Sequence, residues 1–221
     1  MASNSRKAFD ENAKDIERLL EIHTEYGGDG PGRRHRLEVL NKSAVVLITA
    51  IWEAYCEDIT AEALTHIVTH AKDYGGLPLE LQKRIAKELK GKPHDLAVWD
   101  LAGDGWKAVV SNRLSELTTE RNRKLNSPKS AAIDALLLDG IGLAQVSQVW
   151  HWQRMSVEKA KKKLDGYIEL RGAIAHRGVA ASTCKKAHVE DFFEHVKVLV
   201  KKTGGRVNTF VKQLSGKPLW T

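Results

Sequence analysis

Cysteine, proline and aromatic residues are all scarce in this chain of 221 residues: two Cys, five Pro, and 6% Phe, Trp and Tyr together. The two cysteines, Cys56 and Cys184, stand far apart and match no metal-ligand or redox spacing, so disulfide scaffolds and zinc fingers are excluded. So few prolines leave long stretches without a helix breaker. No long hydrophobic run exists either. The longest charge-free apolar stretch, Ala44 to Trp52, falls far short of the roughly 20 residues that span a bilayer. Alternating strand patterns, internal repeats and low-complexity tracts are absent as well. The N-terminus passes from Arg6 and Lys7 straight to Asp10, Glu11 and Asp15, unlike a secretory signal. A reduced, cytoplasmic protein is therefore expected, with no membrane partner.

Apolar residues make up 42% and charged residues 29%, enough for a real core and too ordered a mixture for a disordered chain. The formal net charge is +7. Its distribution is uneven: from Ser156 to the end there are 14 Lys and Arg against 6 Asp and Glu, whereas residues 1–155 carry 21 against 22. A polyanion partner would find its footprint in the last third of the chain.

Helical periodicity runs almost throughout. A first helix is expected over residues 6–26, with Phe9, Ala13, Ile16, Leu19 and Leu20 on one side, stopped by the glycine cluster Gly27 to Gly32. A long second helix follows over 34–74. Shorter helices are expected over 79–90, 104–121 and 129–138, and a turn or two over 146–152. Ser156 opens a further helix as its N-cap, with Glu158 in the first turn, and Gly178 closes it. The last helix begins near Lys185 and meets Gly204 and Gly205. The stripe Phe192, Val196, Leu199, Val207, Phe210, Leu214 keeps its phase across that pair, with Thr203 in the missing slot, so one continuous helix is expected. The fold class is all-α: a helical bundle of two long helices and several shorter ones. Residues 1–32 form an N-terminal helix and Gly-rich turn packed on the bundle of 33–221, a single domain overall.

Between Ala44 and Cys56 the second helix carries one charge, Glu53, in a segment apolar around nearly its whole circumference, which predicts a central helix. A carboxylate there needs a partner. The helix from Ser156 supplies a candidate. Its core stripe reads Ala160, Leu164, Tyr167, Ile168, Arg171, Ile174 and Ala175, so an arginine occupies a core-facing position close to the helix end. His176 follows five residues on, then Arg177 and Gly178. The Arg-x4-His spacing by itself is weak, since Arg18 and His23 share it. Five residues turn a regular helix by about 140° and advance it about 7.5 Å. The two side chains could therefore converge only if the helix frays at His176 or if two copies face each other.

Arg171–His176 at a helix end, followed by Arg-Gly, resembles the Arg-x4–6-His signature of the HEPN superfamily of helical ribonucleases. The likeness extends to the branch called RiboL-PSP-HEPN through Trp52-Glu53-x-Tyr55, Asn126-Ser127-Pro128-Lys129, Trp150-x-Trp152 and the run from Glu169 to Gly178, together spanning about residues 36–215. The resemblance implies a homodimeric, metal-independent endoribonuclease of toxin or phage-defence type, without a cofactor and with an antitoxin or inhibitor as possible further partner. Arg171 and His176 would be catalytic and Glu53 supporting. A basic rim of Lys159, Lys161, Lys162, Lys163, Arg177, Lys185 and Lys186 would bind RNA. One departure stands out: many catalytic members place a polar residue directly after the motif arginine, where this chain has Gly172. A non-catalytic helical module that binds RNA or a protein stays open as the alternative.

Other constellations carry less. Glu62, His66 and His70 share a face of the second helix at i, i+4, i+8, but no acidic residue follows His66 and no second ligand cluster exists, so no metal site is expected. The Gly27–Gly32 cluster lacks the P-loop Lys-Ser/Thr. Cys56 is expected to be a packing residue.

Overall fold

A computed structural model describes residues 2–27, 37–94, 96–119, 127–177 and 184–221; the side chains of 114–119 and of 176–177 lie outside the description. Seven α-helices occur among the described residues. They are α1 (Asn4–Gly27), α2 (Glu38–His70), α3 (Leu79–Lys90), α4 (Gly105–Thr119), α5 (Ser130–Ile141), α6 (Val157–Arg177) and α7 (Lys186–Ser215). Short 3₁₀ turns cover Tyr74–Gly76, Ala97–Leu101 and Val146–Val149. The all-α class expected from periodicity is the observed one. Two of these turns, at 74 and 97, had no sequence-level expectation, because three to five residues are too few to show a period. The expected extension of the second helix to residue 74 stops at His70, and the glycine cluster at 28–32 lies outside the described residues.

Helix α2 is the axis of the bundle, packed by α1, α4, α5, α6 and α7. Val45, Ile48, Trp52, Cys56, Ile59, Leu64 and Ile67 are fully buried on it. By length and composition it is the one described helix that could cross a membrane, with 50% of its most apolar window inside the fold. It is not buried all round, as its composition suggested. Val39, Leu47, Ala50 and Ala54 recur along one side and face outward. Apolarity around a helix fixes that it has no preferred polar side; it does not fix how many neighbours surround it.

Carboxylates borrowed from neighbouring helices begin several of the elements. Glu62 of α2 accepts the Asn4 and Ser5 backbone N–H groups at 3.0 and 2.9 Å, and the Ser5 hydroxyl as well. Asp165 of α6 takes the Ser130 N–H and hydroxyl at 2.7 and 2.9 Å. Asp134 of α5 does the same for Ser147, at 2.8 and 2.5 Å. Each satisfies otherwise orphaned amides and places negative charge at the positive end of a helix or turn. Each also ties two elements together. Glu62 is thereby committed to capping, and no group of three or more potential metal ligands occurs among the described residues. His66 and His70 stack at 4.1 Å, and the His66 imidazole meets the Lys217 carbonyl at 3.2 Å, pinning the C-terminal tail.

Helix α7 runs unbroken through Gly204 and Gly205, and the reason for the first of these glycines lies in α2. The Tyr55 hydroxyl donates to the Val200 carbonyl at 3.0 Å. A Cβ on Gly204 would stand 2.7 Å from that hydroxyl and 3.5 Å from the Trp220 ring, so only glycine lets the tyrosine in. A Cβ on Gly205 would meet nothing within 4 Å. Along the stripe, Val211 is buried where the pattern pointed to Phe210, which is only partly covered.

His195 of α7 is 3% exposed, with Nε2 against the Ala160 carbonyl at 3.1 Å and its ring 5.5 Å from that of Trp152. Burial, helped by Lys163 and opposed by the Ala160 carbonyl and Asp191, lowers its pKa to about 4. A depressed folded-state pKa adds stability above the unfolded value near 6.5 that is lost as pH falls toward 4.

Three outcomes follow for stability. Gly205→Ala should raise unfolding free energy by about 1 kcal/mol, and Gly204→Ala should lower it despite the same gain in helix propensity. Denaturant titration of the two variants measures both. Replacing His195 with Gln should flatten the acid limb of stability between pH 6.5 and 4, an effect of about 3 kcal/mol in the wild type. Equal slopes in the two proteins would contradict this.

Candidate active site

Trp52 and Tyr55 are held on the buried side of α2, which leaves Glu53 at the margin facing α6. There the Arg171 guanidinium lies 3.9 Å from the Glu53 carboxylate, with side-chain exposures of 25% and 21%. The pairing inferred from charge and periodicity is present. It is partly wet, neither a fully buried ion pair nor a surface one. Burial raises the Glu53 pKa above the usual carboxylate range, and the Arg171 charge pulls it back. Glu53 is thus held close to its cation at some desolvation cost, the usual balance for an ion pair withdrawn from water.

Helix α6 is regular through Arg177, so the backbone carries positions 171 and 176 about 140° apart around the axis. Fraying at His176 is not the route by which the two would meet. Positions 175 and 172 fall between them on the helix surface. They are Ala175, exposed and not buried as the stripe had it, and Gly172, half-buried, where an added Cβ would touch nothing within 4 Å. Between Arg171 and position 176 the helix surface thus carries only a methyl and a glycine, a shallow notch by side-chain size, with position 176 on its far side by helix phase. A phosphate could approach the helix backbone closely there. The uncharged outward side of α2, with Leu47, Ala50 and Ala54, belongs to the helix that supplies Glu53.

Residues 10–208 match the RiboL-PSP-HEPN domain family. The chain belongs to this family. No curated protein and no solved structure matches it.

The other residues singled out on this HEPN domain divide into two groups. Lys159, Lys162 and Lys185 are exposed. Lys161 approaches Asp134 at 3.9 Å, and Lys163 pairs with Asp191 at 2.6 Å, where the Tyr167 hydroxyl also donates at 2.7 Å. Burial, with that hydrogen bond, raises the Tyr167 pKa, and against the opposing effect of burial Lys163 and Tyr167 together hold Asp191 below the usual carboxylate range. Lys186 donates to the Thr24 hydroxyl at 2.6 Å and lies 3.5 Å from Glu190. Lys159 and Lys162 share one side of α6, whereas Lys161 and Lys163 turn to acidic partners on α5 and α7, so the run is divided. The backbone of His176 and Arg177 lies in the last turn of α6, and their side chains are outside the described residues. Trp150 and Trp152, part of the family likeness, turn inward. Trp150 is fully buried and donates to the Thr203 hydroxyl at 2.9 Å, and Trp152 rests on His195.

Because the raised Glu53 pKa means the folded state favours the protonated form, the wild type should lose stability, relative to Glu53→Gln, as pH rises from 4 to 7. Paired denaturant titrations at the two pH values measure this. A constant difference would show that Glu53 titrates as an ordinary exposed carboxylate.

Proposed function

We propose that this HEPN domain is a metal-independent endoribonuclease, acting as a homodimer inside the cell in a toxin or phage-defence role held in check by an inhibitor protein. The observation that carries the reading is Arg171, half-buried, 3.9 Å from the Glu53 carboxylate and set beside the notch at Gly172 and Ala175. RNA brings its own nucleophile. The 2′-oxygen attacks the adjacent phosphorus, the bond to the 5′-oxygen breaks, and no metal-bound water is needed. His176 takes the 2′-OH proton or delivers one to the departing 5′-oxygen, a role suited to an imidazole at neutral pH. Arg171 donates to the phosphate oxygens as negative charge builds on them. The products carry 2′,3′-cyclic phosphate and 5′-hydroxyl ends. The outward apolar side of α2 supports a second copy docking against the helix that carries Glu53. Gly172 in place of a polar residue supports a second reading, a module that binds RNA in the same notch without cutting it.

The test is cleavage of a mixed-sequence RNA in chelator. Wild type should cleave, and Arg171→Ala or His176→Ala should lower the rate about 100-fold or more. Gly172→Leu should fill the notch and abolish cleavage while making the helix more stable by roughly 1 kcal/mol, which separates loss of site from loss of fold. Sedimentation should give a dimer, and Ala50→Glu a monomer. Cleavage unchanged in the Arg171→Ala, His176→Ala double variant would refute the enzymatic reading. Binding without cleavage by the wild type would establish the second.

A further inference from the structure

The tight turn before α6 is built rigidly. Trp152 and Met155 exchange two backbone hydrogen bonds, at 3.1 and 2.9 Å, and the buried Trp150 and the Trp152–His195 contact anchor the segment to α7. At its tip Arg154 has φ of +65°, a left-handed conformation that glycine or asparagine adopts at far lower cost than arginine. The side chain is exposed and makes no hydrogen bond or ion pair with another described residue. Nothing in the turn therefore requires a guanidinium, yet a rigid frame presents one.

Exposed positions on α6 continue from that turn in one row. Lys159, Lys162, Gly166 and Glu169 follow at steps of three and four, the spacing of a single helix face, and the half-buried Ala173 and the backbone of position 176 continue the same phase. Lys159 and Lys162 pair with no other described residue, an added Cβ on Gly166 would meet nothing within 4 Å, and Glu169 is neutralised by Lys129 at 2.8 Å. Asp165, beside the row, is committed to Ser130. Against these cations Glu158 is the one acidic side chain near the start of the row without a partner among the described residues. From Lys159 to position 176 the axis advances about 26 Å. A stacked strand rises about 3.4 Å per nucleotide, so the row matches about eight nucleotides.

Resting on the ribonuclease reading, we propose that the outer face of α6 is a track for the RNA backbone leading to His176, with Arg154 as its distal phosphate contact. The substrate class is accordingly RNA of about eight nucleotides or more. Short oligonucleotides reach the notch but not the turn.

The full-length protein would be titrated with fluorescently labelled 2′-O-methyl RNA strands of 4 and 12 nucleotides, which cannot be cut. Wild type should bind the 12-mer at least 10-fold more tightly. Arg154→Gly should weaken the 12-mer about 5-fold or more, reduce its salt slope by about one, and leave the 4-mer unchanged. Its thermal midpoint should equal or exceed wild type, since glycine relieves the left-handed position, so lost binding cannot be ascribed to lost fold. Equal 12-mer affinity in wild type and Arg154→Gly would overturn the track while leaving the ribonuclease reading intact. Failure of the wild type to bind either strand at low salt would remove both.

Discussion

The Trp52 indole sits at the meeting point of three parts of the chain that are remote in sequence. It is fully buried, donates to the Pro128 carbonyl at 3.2 Å, lies 5.9 Å edge-on to Trp150 and stacks near Tyr55 at 6.2 Å. Tyr55 in turn reaches the α7 backbone beside Gly204. A large aromatic with its one polar atom satisfied combines apolar burial with direction, and this one fixes how α2 is rotated relative to α5, α7 and the turn before α6. Rotation of α2 decides where residue 53 points. The ion pair with Arg171 is therefore a consequence of the tryptophan next to it.

Charge serves two separate purposes here. Glu62, Asp134 and Asp165 spend theirs on serines at the starts of α1, the 146–149 turn and α5, where charge-assisted hydrogen bonds replace local caps. Those carboxylates are structural, and with them go Lys161, which approaches Asp134, and Lys163, bound to Asp191. The cations left outward on α6 without a partner among the described residues are Lys159 and Lys162, beside the exposed carboxylates Glu158 and Glu169. The surplus of positive charge in the last third of the chain is thus divided between joints holding α5, α6 and α7 together and a narrower surface free for a polyanion.

The helices were legible because each is long enough to show its period, and α3 ends where the pattern placed its limits, at Leu79 and Lys90. The continuity of α7 was legible for the same reason. The Glu53–Arg171 pair was legible too, because a lone charge on an apolar helix and an arginine on a core stripe each ask for a partner. The lysine run was misleading as a single patch, and Ala175 as a core residue, because helix phase at a bundle margin shifts by less than one residue's width between covered and open. Nothing in the residue pattern distinguishes Arg154, whose positive φ arises from a turn pinned by contacts with α7.

The sequence by itself determined the all-α class, the axial role of α2, the helical phase of Arg171 and the location of the basic surplus, since all four depend on local periodicity and composition. Only the tertiary structure decided which carboxylates are caps, which lysines are paired, which side of α2 stays open, and why Gly204 is glycine. Those outcomes rest on contacts between residues tens to well over a hundred positions apart. Such contacts depend on which faces meet, and one sequence read along its length does not contain that geometry.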